Sequence, residues 1–239
     1  IAAVVRVTEP GVSVMENVHQ QGAASDVLAS LDALAAVCPN LRHVSIVASW
    51  FGSDLRAGHC TVTPRVEYNV KETAGGEWSV AGLTRAQALE VSRVEGAPAY
   101  GGTPSDASVI ALIGEAKRRG WQVTLYPFLM MDVAAGNPPP DFPSGGKGQP
   151  PYPWRGRITC DPAPGRPGTV DGSAPAAAQV ANLFGAADGW GLRRQVRHYA
   201  SLAVAAGGVD AFVVGSEMVG LTRVRSAAGV YPAVAGFRE

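Results

Sequence analysis

The chain has 239 residues, 46% of them hydrophobic and 17% charged, with 20 basic and 20 acidic side chains that cancel to a net charge of zero. It can bury a sizeable core, and it carries no excess charge to draw it to nucleic acid or to an anionic membrane surface. No apolar run reaches the roughly 18 residues of a membrane span, and no basic stretch followed by an apolar centre opens the chain as a secretory signal would.

Taken in order, the chain reads as strand and helix repeated. A first strand is expected near Val12 to Glu16, after Pro10 and Gly11. Val27, Leu31, Leu34 and Cys38 recur at helical spacing and predict a helix over about 25–37. After Pro39 and Asn40, His43 to Trp50 reads as the second strand. Residues 51–103 form a connection far longer than the usual two to six residues. Thr103 as cap, Pro104 at the first helical position and Asp106 in the first turn then announce a second helix. Val109, Leu112, Ile113 and Ala116 give it an apolar stripe, Gly120 ends it, and Trp121 to Phe128 is the third strand.

A second long connection, residues 129–188, is dense in proline and glycine, as in Pro138-Pro139-Pro140 and Pro150-Pro151-Tyr152-Pro153. Leu192, Val196, Tyr199 and Ala203 mark a helix over about 189–206, stopped by Gly207 and Gly208. The short apolar strand from Val209 then runs straight into Glu217. Such alternation predicts an α/β fold of the TIM-barrel-like (β/α)8 type. About the first four β/α units are present, with long loops on the face at the carboxyl ends of the strands. Half of a barrel leaves edges and core open, so residues 1–239 are expected to be the N-terminal portion of such a barrel within a longer protein.

In a parallel barrel the side chains just past the strand ends carry the chemistry, which makes Glu217 the candidate catalytic acid. A glycosidase needs two carboxyl groups flanking the bond, and an acid at neutral pH needs burial or a like charge beside it. The alternative is a glutamate bonded to rim arginines such as Arg223 or Arg225. Asp54 and Asp132, past the second and third strands, either orient Glu217 and bind hydroxyls or cap loops through backbone N–H groups. Tyr152, Trp154, Arg155 and Arg157 offer aromatic faces and guanidinium donors to a sugar ring, or else pin the proline-rich loop to the barrel.

Other groups say less. His19, past the first strand, is the histidine best placed for a site; His43 and His198 suit packing or surface, and His59 the rim. Cys38 belongs to an apolar stripe, while Cys60 and Cys160 sit in two loops that a bridge would link. No cysteine has the spacing of a zinc site, and no phosphate cradle, HExxH or GxSxG motif occurs. Neither a cofactor nor a metal is expected.

Four runs carry a resemblance: Ile46-Val47-Ala48-Ser49-Trp50-Phe51-Gly52 with Asp54-Leu55-Arg56; Ala99-Tyr100-Gly101-Gly102-Thr103-Pro104-Ser105-Asp106-Ala107-Ser108; Tyr152-Pro153-Trp154-Arg155-Gly156-Arg157-Ile158-Thr159-Cys160; and Gly215-Ser216-Glu217 with Gly220-Leu221-Thr222. Together they resemble the glycoside-hydrolase TIM-barrel-like domain of gene transfer agent and phage tail-tip proteins. That domain is embedded in a large baseplate hub, also called megatron or host specificity protein. The resemblance implies a virion-like particle component, assembled in the bacterial cytoplasm and released. It also implies other baseplate and tail proteins as partners, a homo-oligomer around the tail axis and contact with the recipient-cell envelope glycan, while the neutral charge argues against nucleic acid contact by this domain.

The barrel is also similar to mannanase-type retaining glycosidases, whose acid/base glutamate follows the fourth strand, where Glu217 stands. The resemblance puts the nucleophile near the seventh strand, beyond residue 239. Ser216 replaces the usual Asn that holds the sugar 2-hydroxyl, and Phe128 replaces a polar residue. Trp50, Asp54, Asp132, Tyr152, Trp154, Arg155 and Ser216 are the expected substrate contacts around Glu217.

Overall fold

The computed structural model describes residues 1–141 and 146–238; residues 142–145 of the second long connection, and Glu239, lie outside the described part. Its centre is a four-stranded sheet. β3 (His43–Gly52) and β5 (Gln122–Met131) run parallel in unbroken register from His43↔Gln122 to Gly52↔Met131. The short β6 (Ala211–Phe212) adds to β5 in parallel, and β4 (Val62–Thr63) turns back antiparallel on the end of β3, giving the order β6-β5-β3-β4.

Side chains alternate across a strand, and here the alternation separates two environments. Ile46, Ala48 and Trp50 of β3, with Val123, Leu125, Leu129 and Met131 of β5, are buried on one face. Against that face lie α2 (Asp106–Arg118) and α4 (Leu192–Ala205), contributing Val109, Ile113 and Ala116 and Leu192, Tyr199 and Leu202. On the opposite face Ser45 and Val47 are exposed, and Thr124, Tyr126 and Phe128 are half-buried. Three neighbouring parallel strands with helices on one face make a layered α/β unit; no closed barrel is present among the described residues.

The expected first strand is present but differently placed. β2 (Val12–Met15) pairs antiparallel with β1 (Val5–Glu9) across the turn at Pro10 and Gly11, and β1 also pairs with Thr73–Ala74. This hairpin forms a separate three-stranded sheet rather than a neighbour of β3. A two-residue turn favours an antiparallel return, which explains why Val12 joins Val5–Glu9. α1 (Asp26–Val37) has the expected span, yet none of its residues is buried. Cys38 is accordingly exposed, not a core residue.

α2 differs at its start. Ser105, not Thr103, is the cap, its hydroxyl accepting from the Ser108 N–H at 3.3 Å. Thr103 instead donates to the Ser49 carbonyl at 2.8 Å and accepts from the Arg65 N–H at 3.1 Å, tying the first long connection to β3. At the other end, Lys117 donates to the carbonyls of Gly207 and Gly208 at 2.7 and 3.0 Å, locking α2 to the stop of α4. Positive charge is favoured at such a carbonyl-rich terminus.

Glu115 is bonded to Arg118 and Arg119 at 2.6–2.7 Å. The Arg118 bond first, then Arg119, hold its carboxyl at about 2, well below the ordinary 4.5. A depressed carboxyl stabilises the fold above the unfolded value, and that contribution is lost as pH falls through the folded one. Acid denaturation is therefore expected to show a loss of stability between pH 4.5 and 2 that Glu115→Gln removes. An unchanged profile in the variant contradicts it.

The long connections are built, not bare. The first holds three two-residue strand pairs, such as Arg65–Val66 with Leu89–Glu90. The second, expected as a connection throughout, contains a helix, α3 (Ala174–Phe184), with Pro175 in its first turn and Ala176, Val180, Leu183 and Phe184 buried. No helix among the described residues is long and apolar enough to cross a membrane.

Candidate functional site

The site is built where β5 and β6 end. β6 leads through Val213 to Ser216 and Glu217, and the N–H of Val213 still bonds the Leu125 carbonyl at 3.0 Å, so the segment stays aligned with β5. Glu217 then adopts a φ of +54°. A non-glycine residue in the left-handed region is costly and persists where its surroundings hold it.

What holds it is the turn Arg155–Arg157, a 3-10 helix entered from Trp154. The Trp154 indole Nε1 donates to Glu217 Oε2 at 2.7 Å, and Arg155 Nη2 approaches the same oxygen at 3.2 Å. Arg155 Nε donates to the Ser216 carbonyl at 3.0 Å. Its Nη2 also donates to the Ser216 hydroxyl at 2.9 Å and to the Tyr126 hydroxyl at 3.0 Å, and those two hydroxyls bond each other. The guanidinium lies 3.8 Å from the centre of the Phe128 ring, a cation over an aromatic face.

Two glycines make this closeness feasible. A Cβ on Gly156 meets the Trp154 ring at 2.4 Å, so the missing side chain is what lets the indole lie on its own turn. A Cβ on Gly220 meets the carbonyls of Ile158 and Gly156 at 2.6 and 2.7 Å. Its absence seats α5 (Val219–Thr222) directly against the turn.

The expected site residues divide accordingly. Glu217, Ser216, Trp154 and Arg155 come together. Arg155 is only 6% exposed, and two of its nitrogens are committed to the protein, so it positions Glu217 rather than offering donors to a ligand. Trp154 is 51% exposed and presents its ring. Glu217 pairs with Arg155, not with Arg223 or Arg225; Arg225 is engaged by Asp171 at 2.6 Å. Arg157 bonds Asp141 at 2.8 Å.

The others lie elsewhere. Trp50, expected as a substrate contact, is fully buried on the helix side among Trp190, His198 and Tyr199. It shares the phase of Ile46 and Ala48 along β3, and that phase faces the helices. Asp54 accepts from Arg56 Nε and Nη2 at 3.0 and 2.7 Å and from Gln149 Nε2 at 2.6 Å. Burial pushes its carboxyl up, and the bonds from Arg56 and Gln149 outweigh that and leave it below the ordinary value. Asp132 is buried and receives Arg65 Nη1 at 2.6 Å and the Ser92 N–H at 2.9 Å. Both aspartates thus clamp the long connections. Tyr152 bonds Ser92 through its hydroxyl at 3.1 Å and packs edge-on to Tyr100. These contacts fit the anchoring alternative.

His19 bonds Asp26 at 2.7 Å beside the start of α1, far from any parallel-strand end in the chain order. Cys60 and Cys160 are buried free thiols rather than a bridge, and burial pushes the Cys60 thiol up to about 11. No group of three or more potential metal ligands occurs among the described residues. Tyr126 is the residue the sequence reading missed. Its phase along β5 matches that of Phe128, and this was the available signal that it faces the side away from the helices.

The geometry is that of a mixed α/β protein with an exposed carboxylate just past the end of a parallel strand. Residues 190–239, from α4 through Glu217 onward, match the family model described as the GTA TIM-barrel-like domain. No curated protein matches the chain.

Proposed function

We propose that the chain is part of a TIM-type barrel in the tail-tip baseplate of a gene transfer agent-like particle, and that its strand-end site binds glycan of the recipient-cell envelope. The observation that carries the reading is the pairing of Glu217 with Trp154: an exposed indole face lies beside a fixed carboxylate. Sugars are bound by this combination, the C–H face stacking on the ring and hydroxyls donating to the acid. The matched segment contains Glu217, and this supports the particle context. In this reading the partners are the other baseplate and tail proteins, and the protein is a homo-oligomer carried in the released particle.

A second reading is a retaining glycoside hydrolase with Glu217 as general acid/base, favoured by its position past the strand end. Such an enzyme requires a second carboxyl group about 5 Å away. Asp54 and Asp132 are engaged with Arg56 and Arg65 instead. Release of reducing sugar from recipient envelope polysaccharide separates the two. Binding without release supports the recognition role, whereas release that Glu217→Gln abolishes establishes the hydrolase.

A further inference from the structure

The two oxygens of Glu217 are not equivalent. Oε2 accepts from the Trp154 indole and is the oxygen that the Arg155 guanidinium approaches as an ion pair at 3.2 Å. Among the described residues no donor reaches Oε1, and the side chain is 56% exposed. The group that a ligand meets is therefore an acceptor, with the Trp154 ring beside it. The nearest positive charge is withdrawn from that encounter, because Arg155 is 6% exposed and spends Nε and Nη2 on Ser216, Tyr126 and Glu217.

We propose that the site selects its saccharide by charge: it takes a sugar whose hydroxyl or amino group donates to Glu217 Oε1, and it turns away a sugar carboxylate. This rests on the glycan-binding reading above and adds a specificity to it. The chemistry is a matter of lone pairs. A carboxylate only accepts hydrogen bonds, so a uronate carboxylate at Oε1 brings acceptor against acceptor and like charge against like charge. A hydroxyl or an ammonium supplies the missing proton. Selectivity of this kind comes as much from the repelled ligand as from the favoured one.

Glu217→Gln provides the test, because a carboxamide has one acceptor oxygen and one donor nitrogen. The Trp154 indole donates and the Arg155 cation lies beside the same oxygen, so the amide oxygen is kept on their side. The free position then becomes an N–H₂ group, which accepts no hydrogen bond and donates to a carboxylate. The substitution converts the acceptor site to a donor site without changing its shape, and at an exposed position it leaves the fold intact.

The experiment is calorimetric titration of the intact protein with tetramers of glucosamine, glucose and galacturonate at low ionic strength, repeated with Glu217→Gln and with Trp154→Ala. The native protein is expected to bind the glucosamine and glucose tetramers at least about tenfold more tightly than the galacturonate, the usual size of a hydrogen bond to a charged group. Glu217→Gln is expected to reverse the order, and Trp154→Ala to weaken all three. Galacturonate bound as tightly as the others by the native protein, with binding still lost in Trp154→Ala, overturns the charge selection and leaves the glycan-binding reading standing. Absence of binding to all three tetramers overturns both. An order unchanged in Glu217→Gln overturns the role of Oε1.

Discussion

Replacing Arg155 with Ala is expected to lower the stability of the fold by about 2–4 kcal/mol, a large effect for one side chain in a single domain. The guanidinium is buried against the Phe128 ring, donates to the Ser216 carbonyl and to the Ser216 and Tyr126 hydroxyls, and forms an ion pair with Glu217. Truncation leaves the Ser216 carbonyl and the half-buried hydroxyls of Ser216 and Tyr126 without their donor, which costs more than the bonds contribute net. It also frees Glu217, whose left-handed backbone has no glycine-like freedom and relies on its neighbours. Arg155→Lys keeps the charge but loses the planar fork that reaches carbonyl, hydroxyl and carboxylate together, so it is expected to recover only a minor part. Urea denaturation of the three proteins checks this. A shift below about 0.5 kcal/mol, the size of an ordinary surface substitution, shows that the Arg155 network does not hold the strand end.

Trp50→Ala is expected to cost about 3–5 kcal/mol, the range for removing a large aromatic from a packed core. The ring is wholly buried and makes an edge contact with Trp190 at 5.4 Å between centroids, with His198 and Tyr199 close by. The milder Trp50→Phe separates stability from binding. It is expected to lower the denaturation midpoint clearly while leaving affinity for polysaccharide unchanged in the folded protein. Loss of affinity with an unchanged midpoint restores Trp50 as a substrate contact and contradicts its assignment to the core.

The two cases illustrate how far the residues alone led. α2, α4 and β3 were legible because their apolar periods are strong and a glycine follows each, whereas β5 was legible by its apolar run alone and continues to Met131, past the expected end at Phe128. The placement of Glu217 followed from the short strand before it. Trp50 was misassigned although its phase relative to Ile46 and Ala48 already pointed to the helices, since β-strand parity sorts faces more surely than nearness to a strand end. α3 was hidden because Pro175 sits in a proline-rich context, yet proline in the first turn of a helix is favourable, and Ala176, Val180 and Leu183 repeat at helical spacing. Thr103 looked like a cap, but a bond to Ser49 of β3 across 54 residues competed for its hydroxyl, and Ser105 took the capping role. The antiparallel hairpin of β1 and β2 was missed because strand propensity at Val12–Met15 does not say which partner is paired.

For the site itself, the residue types were readable and their division of labour was not. Trp154 and Arg155 are adjacent in sequence, and only the 3-10 turn between Arg155 and Arg157 sends one outward and the other inward. The bare Cα of Gly156 makes room for the indole. Asp54 and Asp132 follow strand ends just as Glu217 does, but Arg56, two residues on, binds the one and Arg65, from the other long connection, binds the other. Which of three strand-end acids faces solvent is therefore a tertiary outcome.

The central claim, that the indole and carboxylate at the end of β6 recognise envelope glycan, is tested most directly by retention of the intact protein on recipient-cell envelope polysaccharide, comparing the native protein with Trp154→Ala. Trp154 is half exposed and makes one bond to Glu217, so its loss leaves the fold near its native stability. The native protein is expected to be retained, and the variant, equally folded, to lose about tenfold or more in affinity, as expected for one stacked aromatic and its hydrogen bond. Equal retention of both proteins contradicts it.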